Sequence, residues 1–138
     1  MVNFEYYAPT RVVFGRDTEQ QVGRLVKEYG ATKVLVHSGG QSARKSGLLD
    51  RVLASLRKAG GDYVELAGVG PNPHLSLVRQ GIALCREQGV DFLLAVGGGS
   101  VLDSAKAIGY GVPYDGDVWD FYEGKAVAQK ALPVGAVV

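Results

Sequence analysis

Short apolar runs alternate along the chain with longer stretches whose apolar residues recur every three or four positions. Within residues 19–29, Val22, Leu25, Val26 and Tyr29 follow the i, i+3, i+4, i+7 spacing of one helix face. Residues 92–96 are apolar without alternation, which is typical of a strand buried on both faces. The pattern predicts strands over 10–14, 33–36, 63–67, 92–96 and 132–138, and helices over 19–29, 48–59, 75–88, 101–108 and 118–122.

Strands that alternate with helices of about 10–15 residues predict a mostly parallel sheet with helices packed on its faces. In such α/β sheets a ligand binds beyond the carboxyl ends of the strands. Three polar or Gly-rich loops follow predicted strands at that edge, over 37–42, 68–73 and 97–100. A chain of 138 residues has the size of one domain, and neither a linker nor an internal repeat divides it.

Composition narrows the class of protein. Apolar residues make up 46% of the chain, which excludes a disordered chain, and a net charge of +1 argues against a basic nucleic-acid surface. No apolar run approaches the roughly 18 residues of a membrane span. A single cysteine, Cys85, and the lack of a secretory signal favour a cytoplasmic protein without disulfides. We expect the Cys85 thiol to be buried and unreactive.

The strongest local signal is the turn over residues 97–100 (Gly-Gly-Gly-Ser), between a buried strand and a helix. Glycines let the backbone approach a ligand closely, and a helix N-terminus offers unpaired N–H groups and about half a positive charge. This combination suits a phosphate or a pyrophosphate. Leu102 excludes the G-x-G-x-x-G fingerprint, and no Gly-Lys-Ser/Thr follows to make a P-loop. Ser100 and Asp103 also have the spacing of a capping box, which would stabilise the helix alongside or instead of binding an anion.

This turn and the helix after it, residues 97–108 (GGGSVLDSAKAI), closely resemble the GGGS-x-x-Asp-x-x-Lys signature of the iron-dependent (group III) alcohol dehydrogenases. Three other segments are similar to the same family and occur in the same order: an opening strand at 9–15 (PTRVVFG), a PNP loop at 70–73 and a strand entry at 132–135 (LPVG). The resemblance covers essentially the whole chain. It is strongest to the butanol-dehydrogenase-like branch, which reduces aldehydes with NADPH.

The resemblance implies that residues 1–138 form a Rossmann-like dinucleotide-binding domain. It also implies cofactor contacts at the matching positions. The pyrophosphate would be held by Gly98, Gly99 and Ser100, and Asn72 would contact the cofactor from the PNP loop. Asp103 would approach the nicotinamide, and Gly40 and Ser42 would face the adenosine ribose.

In the family, a second, helical domain holds Fe²⁺ or Zn²⁺ with one Asp and three His, and we expect no counterpart within residues 1–138. His37 and His74 are not at metal-ligand spacing. We therefore expect no catalytic residue and no metal ligand in this chain, and little or no turnover from it alone. The complete enzyme would transfer hydride between NADP(H) and a small alcohol or aldehyde.

The loop after the second predicted strand bears on the choice of cofactor. An acidic residue there would bind the ribose 2′-hydroxyl of NAD, and residues 37–42 (HSGGQS) contain none. Arg44 and Lys45 follow and can meet a 2′-phosphate, although such a pair is also common at a solvated helix start. The sequence therefore favours NADP(H) over NAD(H). His37 either borders the adenosine site or is a packed or exposed imidazole.

Other functions stay open: a non-catalytic dinucleotide-binding module, or a relative such as a glycerol dehydrogenase or a dehydroquinate synthase. An open sheet edge and apolar surface without the second domain favour self-association into a homo-oligomer. Trp119, Phe121 and Tyr122 are interpreted as packing residues or a substrate-side wall, because neighbouring acidic residues would repel nucleic acid. Asp115 and Asp117 lack the further ligands of a metal site.

Overall fold

The computed structural model describes residues 21–39, 47–69, 75–97, 99–124 and 131–137, and the predicted strand over 10–14 lies outside them. In chain order the elements are α1 (Val22–Glu28), β1 (Lys33–Gly39), α2 (Leu48–Lys58), β2 (Asp62–Val69), α3 (Leu75–Gln88), β3 (Phe92–Val96), α4 (Gly99–Gly111), α5 (Trp119–Tyr122) and β4 (Val134–Val137). None of these helices has the length and apolar character needed to cross a membrane.

The strands within the described residues form one parallel sheet in the order β2-β1-β3-β4. Leu35 in β1 pairs with Val64 in β2 on one side and with Leu93 in β3 on the other. The chain moves outward from β1 to β2 and then crosses back over β1 to reach β3. Consequently β1 and β3 flank the point at which the strand order reverses, the switch point of an open α/β sheet. The predicted α/β class, a parallel sheet flanked by helices, is confirmed.

Alternate side chains of the central strands build two apolar layers. Val34, Val36 and Leu94 pack with α1 and α2 on one face, and Leu35 and Leu93 pack with α3 and α4 on the other. All of β3 is buried, as its unbroken apolar run predicts. Burying each large apolar side chain contributes about 1.5–3 kcal/mol to the fold.

Helices α3 and α4 approach each other closely at a glycine. A Cβ atom added at Gly81 in α3 would lie 2.5 Å from Ile108 Cδ1 in α4, well inside contact distance. The missing side chain therefore lets α4 pack close to α3. This contact helps to set the position of the helix that follows the Gly-rich turn.

Several element boundaries differ from the prediction, and two of the differences affect the site. β1 continues to Gly39 because the polar His37 and Ser38 are buried and lie in the sheet, so residues 37–39 are not part of the expected turn. α4 begins at Gly99, two residues earlier than predicted. Ser100 thus lies inside the first turn, and the capping-box interpretation, which requires Ser100 to precede the helix, is wrong.

The aromatic residues near α5 mainly pack against one another. Phe121 is buried, and its ring centroid lies 4.6 Å from that of Tyr114 and 6.3 Å from that of Tyr110. Trp119, by contrast, is 43% exposed. The packing interpretation is confirmed for Phe121, whereas Trp119 lies at the surface.

Candidate functional site

The carboxyl ends of β1 and β3 lie side by side at the switch point. Ser38, the penultimate residue of β1, pairs with Val96, the last residue of β3. A Cβ atom added at Gly97 would lie 3.9 Å from the backbone nitrogen of Gly39, so the two chain segments leave the sheet in close proximity. The loops that follow β1 and β3 therefore start at one crevice, which is where open α/β sheets bind their ligands.

The turn after β3 requires glycine at its first position. Gly97 has a φ of +138°, which L side chains rarely adopt, and a Cβ atom there would lie 3.1 Å from Val101 Cγ2. Its N–H donates to the Val137 carbonyl across 3.0 Å, so β4 holds the start of the turn. α4 begins at Gly99 with no acidic residue in its first turn. Its free N–H groups and the positive end of its dipole therefore meet the crevice without a competing carboxylate in that turn.

The predicted cofactor residues divide into those on α4 and those outside the described residues. Gly99 and Ser100 lie in the first turn of α4, and Asp103 lies one turn further along with an exposed side chain. The predicted residues that lie outside the described ranges are Gly40, Ser42, Asn72 and Gly98. The strand order nonetheless places the carboxyl ends of β1 and β3 side by side, with β2 as the other neighbour of β1.

A buried polar pair lies just below this crevice. His37 is 0% exposed; its Nε2 is 2.8 Å from Ser104 Oγ, and its Nδ1 is 2.9 Å from the Leu66 carbonyl oxygen. Burial lowers the pKa of His37, against a smaller raising effect of the hydrogen bond to Leu66, so the imidazole is neutral at pH 7. The expectation of a packed imidazole is confirmed and that of an exposed one is wrong, whereas a position beside the adenosine site stays a prediction.

Ser104 is a candidate that the glycine signature alone does not reveal. It lies three residues after Val101 and four before Ile108, both buried, so it occupies the inward face of α4. His37 likewise lies two residues after Leu35, on the same face of β1. A polar residue at an inward position in each of two elements is the signal that predicts such a pair, since buried polar groups find hydrogen-bond partners.

The described residues contain no group of three or more His, Cys, Asp or Glu side chains that could hold a metal ion. Asp117 instead accepts two hydrogen bonds from the Arg79 guanidinium, at 2.6 and 3.1 Å, and these lower the pKa of its carboxyl group. The Fe²⁺ or Zn²⁺ implied by the resemblance therefore has no ligand set within these ranges.

The single thiol is buried in this fold. Cys85 is buried in the layer between α3 and the sheet, and burial raises the pKa of its thiol to about 12. The thiol stays protonated at neutral pH, so it lacks the thiolate that reacts with electrophiles and binds metals. The prediction of a buried thiol is confirmed, and the raised pKa supports the expected lack of reactivity.

A family profile described as iron-containing alcohol dehydrogenase matches residues 9–138. The chain belongs to the iron-containing alcohol dehydrogenase family. The resemblance carried by residues 97–108 is thus confirmed. Members of this family are alcohol dehydrogenases, the enzyme class that the sequence predicts.

Curated relatives in the iron-containing alcohol dehydrogenase family align with the whole chain. It is 50% identical over 138 residues to the probable NADH-dependent butanol dehydrogenase 2 of Bacillus subtilis. It is 38% identical over 142 aligned residues to the NADPH-dependent aldehyde reductase YqhD of Escherichia coli. Each comparison covers 100% of this chain and 35% of the relative, so the chain spans about a third of the length of these proteins.

Solved structures of the family show the same fold. The NADH-dependent butanol dehydrogenase A of Thermotoga maritima superposes with a TM-score of 0.92 at 46% identity, over 100% of this chain and 35% of that protein. The sulfoacetaldehyde reductase of Bifidobacterium kashiwanohense, at 24% identity, superposes with a TM-score of 0.81 and supports the fold alone. The matched part is the N-terminal region of the family, and its Rossmann-like class is confirmed.

Proposed function

We propose that the crevice between the ends of β1 and β3 binds a nicotinamide dinucleotide, with the pyrophosphate against the first turn of α4. The strand order carries this proposal, because it places the Gly97 turn and an acid-free helix N-terminus at the switch point. Residues 1–138 then serve as the dinucleotide-binding domain of an alcohol dehydrogenase. The relatives' names, NADH-dependent or NADPH-dependent, support the same cofactor class.

In this proposal the residues at the start of α4 contact different parts of the cofactor. Backbone N–H groups of Gly98, Gly99 and Ser100 hold the pyrophosphate, as helix N-termini do for anions. The exposed Asp103 side chain, one turn along, lies toward the nicotinamide. The loops after β1 and β2 supply the remaining contacts, from Gly40, Ser42 and Asn72.

The dinucleotide, when bound, supplies the hydride chemistry, and the residues of this chain bind and orient it. We propose that the complete enzyme transfers hydride between the dinucleotide and a small alcohol or aldehyde. The family's Fe²⁺ or Zn²⁺ is then held outside the described residues, which offer no ligand cluster. Turnover of the 138-residue chain alone, assayed with NADPH, an aldehyde and Fe²⁺ or Zn²⁺, should be little or none. Robust aldehyde reduction would overturn this division of roles.

We further propose a preference for NADP(H) over NAD(H). β1 ends in Ser38 and Gly39 without an acid to bind the ribose 2′-hydroxyl, and Arg44 and Lys45 follow closely in sequence, although they lie outside the described residues. The names of the Bacillus and Thermotoga relatives point to NADH, and that of the Escherichia coli reductase points to NADPH.

Calorimetric titration with both cofactors measures the preference directly. We expect a Kd for NADPH at least about tenfold below that for NADH, equivalent to about 1.4 kcal/mol. Arg44→Ala should raise the Kd for NADPH and leave that for NADH unchanged, because only NADPH carries the 2′-phosphate. Equal or reversed affinities in the wild-type protein would overturn the NADP(H) preference while leaving dinucleotide binding intact.

A single substitution tests the position of the pyrophosphate. Ser100→Asp adds a carboxylate to the first turn of α4, where it favours the helix dipole but repels a diphosphate. We expect the unfolding midpoint to hold or rise while the Kd for either dinucleotide increases about tenfold or more. The control, Gln80→Asp, adds the same charge at an exposed position in the middle of α3. Equal Kd values for the two variants would overturn the proposed position.

A further inference from the structure

The His37–Ser104 pair is a polar contact in a largely apolar layer. Around it, α4 meets the sheet through Val101, Ala105 and Ile108, all buried. Apolar packing is non-directional, so these contacts alone specify the height and rotation of the helix only weakly. The hydrogen bond between His37 Nε2 and Ser104 Oγ, at 2.8 Å, is directional and specifies both.

The proton positions in the pair follow from the partners. The Leu66 carbonyl accepts hydrogen bonds only, so Nδ1 of His37 carries a proton and donates it across 2.9 Å. In a neutral imidazole Nε2 is then an acceptor, and the Ser104 hydroxyl donates to it. One series of hydrogen bonds therefore joins β2, β1 and α4, with the direction of each bond determined.

We propose that His37 and Ser104 are positioning residues for the dinucleotide, an inference that rests on the proposed function. His37 lies two residues before Gly39, where β1 ends at the crevice. Ser104 lies one turn after Ser100, which is in the first turn of α4. Their hydrogen bond joins the two walls of the crevice. It sets the height of the pyrophosphate-binding N–H groups relative to the carboxyl end of β1.

The test compares two Ser→Ala variants of the 138-residue protein. Ser104→Ala removes the donor to His37. Ser55→Ala is the matched control, because Ser55 is also buried and accepts a hydrogen bond from the Gly23 N–H at 3.0 Å, but it joins α1 to α2 on the opposite face of the sheet. Calorimetry measures the Kd for NADPH and NADH, and a thermal scan measures the unfolding midpoint. We expect both variants to lower the midpoint, while Ser104→Ala alone raises Kd, by about five- to tenfold.

Two further measurements address the donor itself. Ser104→Cys keeps a side chain of similar shape but offers a weaker donor, so its Kd should lie between those of the wild type and Ser104→Ala. This variant also carries the test if the alanine variant does not fold. In ¹⁵N NMR spectra, the His37 ring of the wild type should show the Nδ1–H tautomer, and its Nε2 resonance should shift in Ser104→Ala.

The outcomes separate this inference from the proposed function. A raised Kd in Ser104→Ala, with the Kd of Ser55→Ala unchanged, supports the positioning role. If the wild type binds but Ser104→Ala binds equally well, or both alanine variants weaken binding equally, the positioning role is overturned and the proposed function stands. If the wild type binds neither dinucleotide, both are overturned.

Discussion

The two ends of β1 are held in the fold by different chemistry. At the amino end, the Asp91 carboxylate accepts hydrogen bonds from the Thr32 N–H and hydroxyl, at 3.0 and 2.6 Å, and from the Lys33 N–H at 3.0 Å. At the carboxyl end, neutral His37 bonds to Ser104 in the interior. An ionised carboxylate thus accepts the hydrogen bonds at the solvent-exposed end of β1, and a neutral pair forms the hydrogen bond at the end below the proposed pyrophosphate.

The cost of burying charge explains this difference. Partial burial raises the pKa of the Asp91 carboxyl, but the hydrogen bonds from Thr32 and Lys33 together lower it below its ordinary value. A carboxylate below α4 would compete with a diphosphate for the positive helix end, and a buried cation would need a partner of its own. The His37–Ser104 pair holds the helix without adding charge to the site.

Removing the buried His37–Ser104 hydrogen bond should lower the stability of the fold more than any other change considered below. His37→Ala leaves a cavity and deprives the Ser104 hydroxyl and the Leu66 carbonyl of their partner. We expect the free energy of unfolding, measured by urea denaturation, to fall by about 3 kcal/mol. A fall below about 1 kcal/mol would mean that the buried His37 hydrogen bonds contribute little to stability, contrary to the role given to them here at the carboxyl end of β1.

Asp91→Ala, which removes the carboxylate that accepts hydrogen bonds at the amino end of β1, should cause the next largest loss of stability. It leaves the N–H groups of Thr32 and Lys33 without their acceptor, so we expect a loss of about 2 kcal/mol in the free energy of unfolding. The Kd for the dinucleotide should not change, because Asp91 lies at the amino end of β3, opposite the crevice at the carboxyl ends of the strands. A rise in Kd as large as that expected for Ser104→Ala would erase the distinction between the two ends.

The two ends should also lose stability in different pH windows. Burial lowers the pKa of His37 below its ordinary value of 6.5, so the unfolded chain binds the proton first and stability falls as the pH drops below about 6.5. The contribution of Asp91 is lost only below its ordinary pKa of 3.8, as the pH falls through its lowered folded-state value. Each group costs at most about 1.4 kcal/mol per pH unit.

Urea denaturation between pH 8 and pH 3 measures both windows. His37→Ala should flatten the upper window alone, and Asp91→Ala should flatten the lower window alone. A profile for His37→Ala that keeps the full wild-type slope between pH 6.5 and pH 5 would contradict a neutral, buried His37.

The smallest effect is expected from an ion pair at neither end. Arg79 Nη2 lies 2.6 Å from Asp117 Oδ2, and the two side chains are 50% and 47% exposed. Because water and salt screen such a pair, Arg79→Ala should change the unfolding midpoint less than Asp91→Ala does, and the change should vanish at about 1 M salt. An effect as large as that of Asp91→Ala would show that an exposed ion pair stabilises this fold as much as the hydrogen bonds at the amino end of β1 do.

Apolar periodicity predicts the strands and helices of this fold because each buries one face, or both faces in the case of β3. The same reasoning fails at His37 and Ser38, whose polarity indicates a turn although both are buried within β1. Contacts from Leu66 and Ser104, distant in sequence, satisfy the His37 ring inside the fold. Local polarity does not contain that information.

The candidate site is predictable from the sequence only in its local parts. The glycine turn and the helix after it are local features, and the sequence indicates both, although it places the start of α4 two residues too late. The meeting of two loops at one crevice depends on strand order, which is set by pairs such as Val34 with Phe92. Rules of connection restrict the strand orders that are allowed but do not select one. For the same reason the sequence does not pair His37 with Ser104.

The most direct test of the switch-point site is a crystal structure of the protein with NADPH or NADH bound. We predict that the diphosphate lies against the backbone N–H groups of Gly99 and Ser100, between the carboxyl ends of β1 and β3. A nucleotide bound elsewhere on the molecule, or none bound at a saturating concentration, would contradict this prediction.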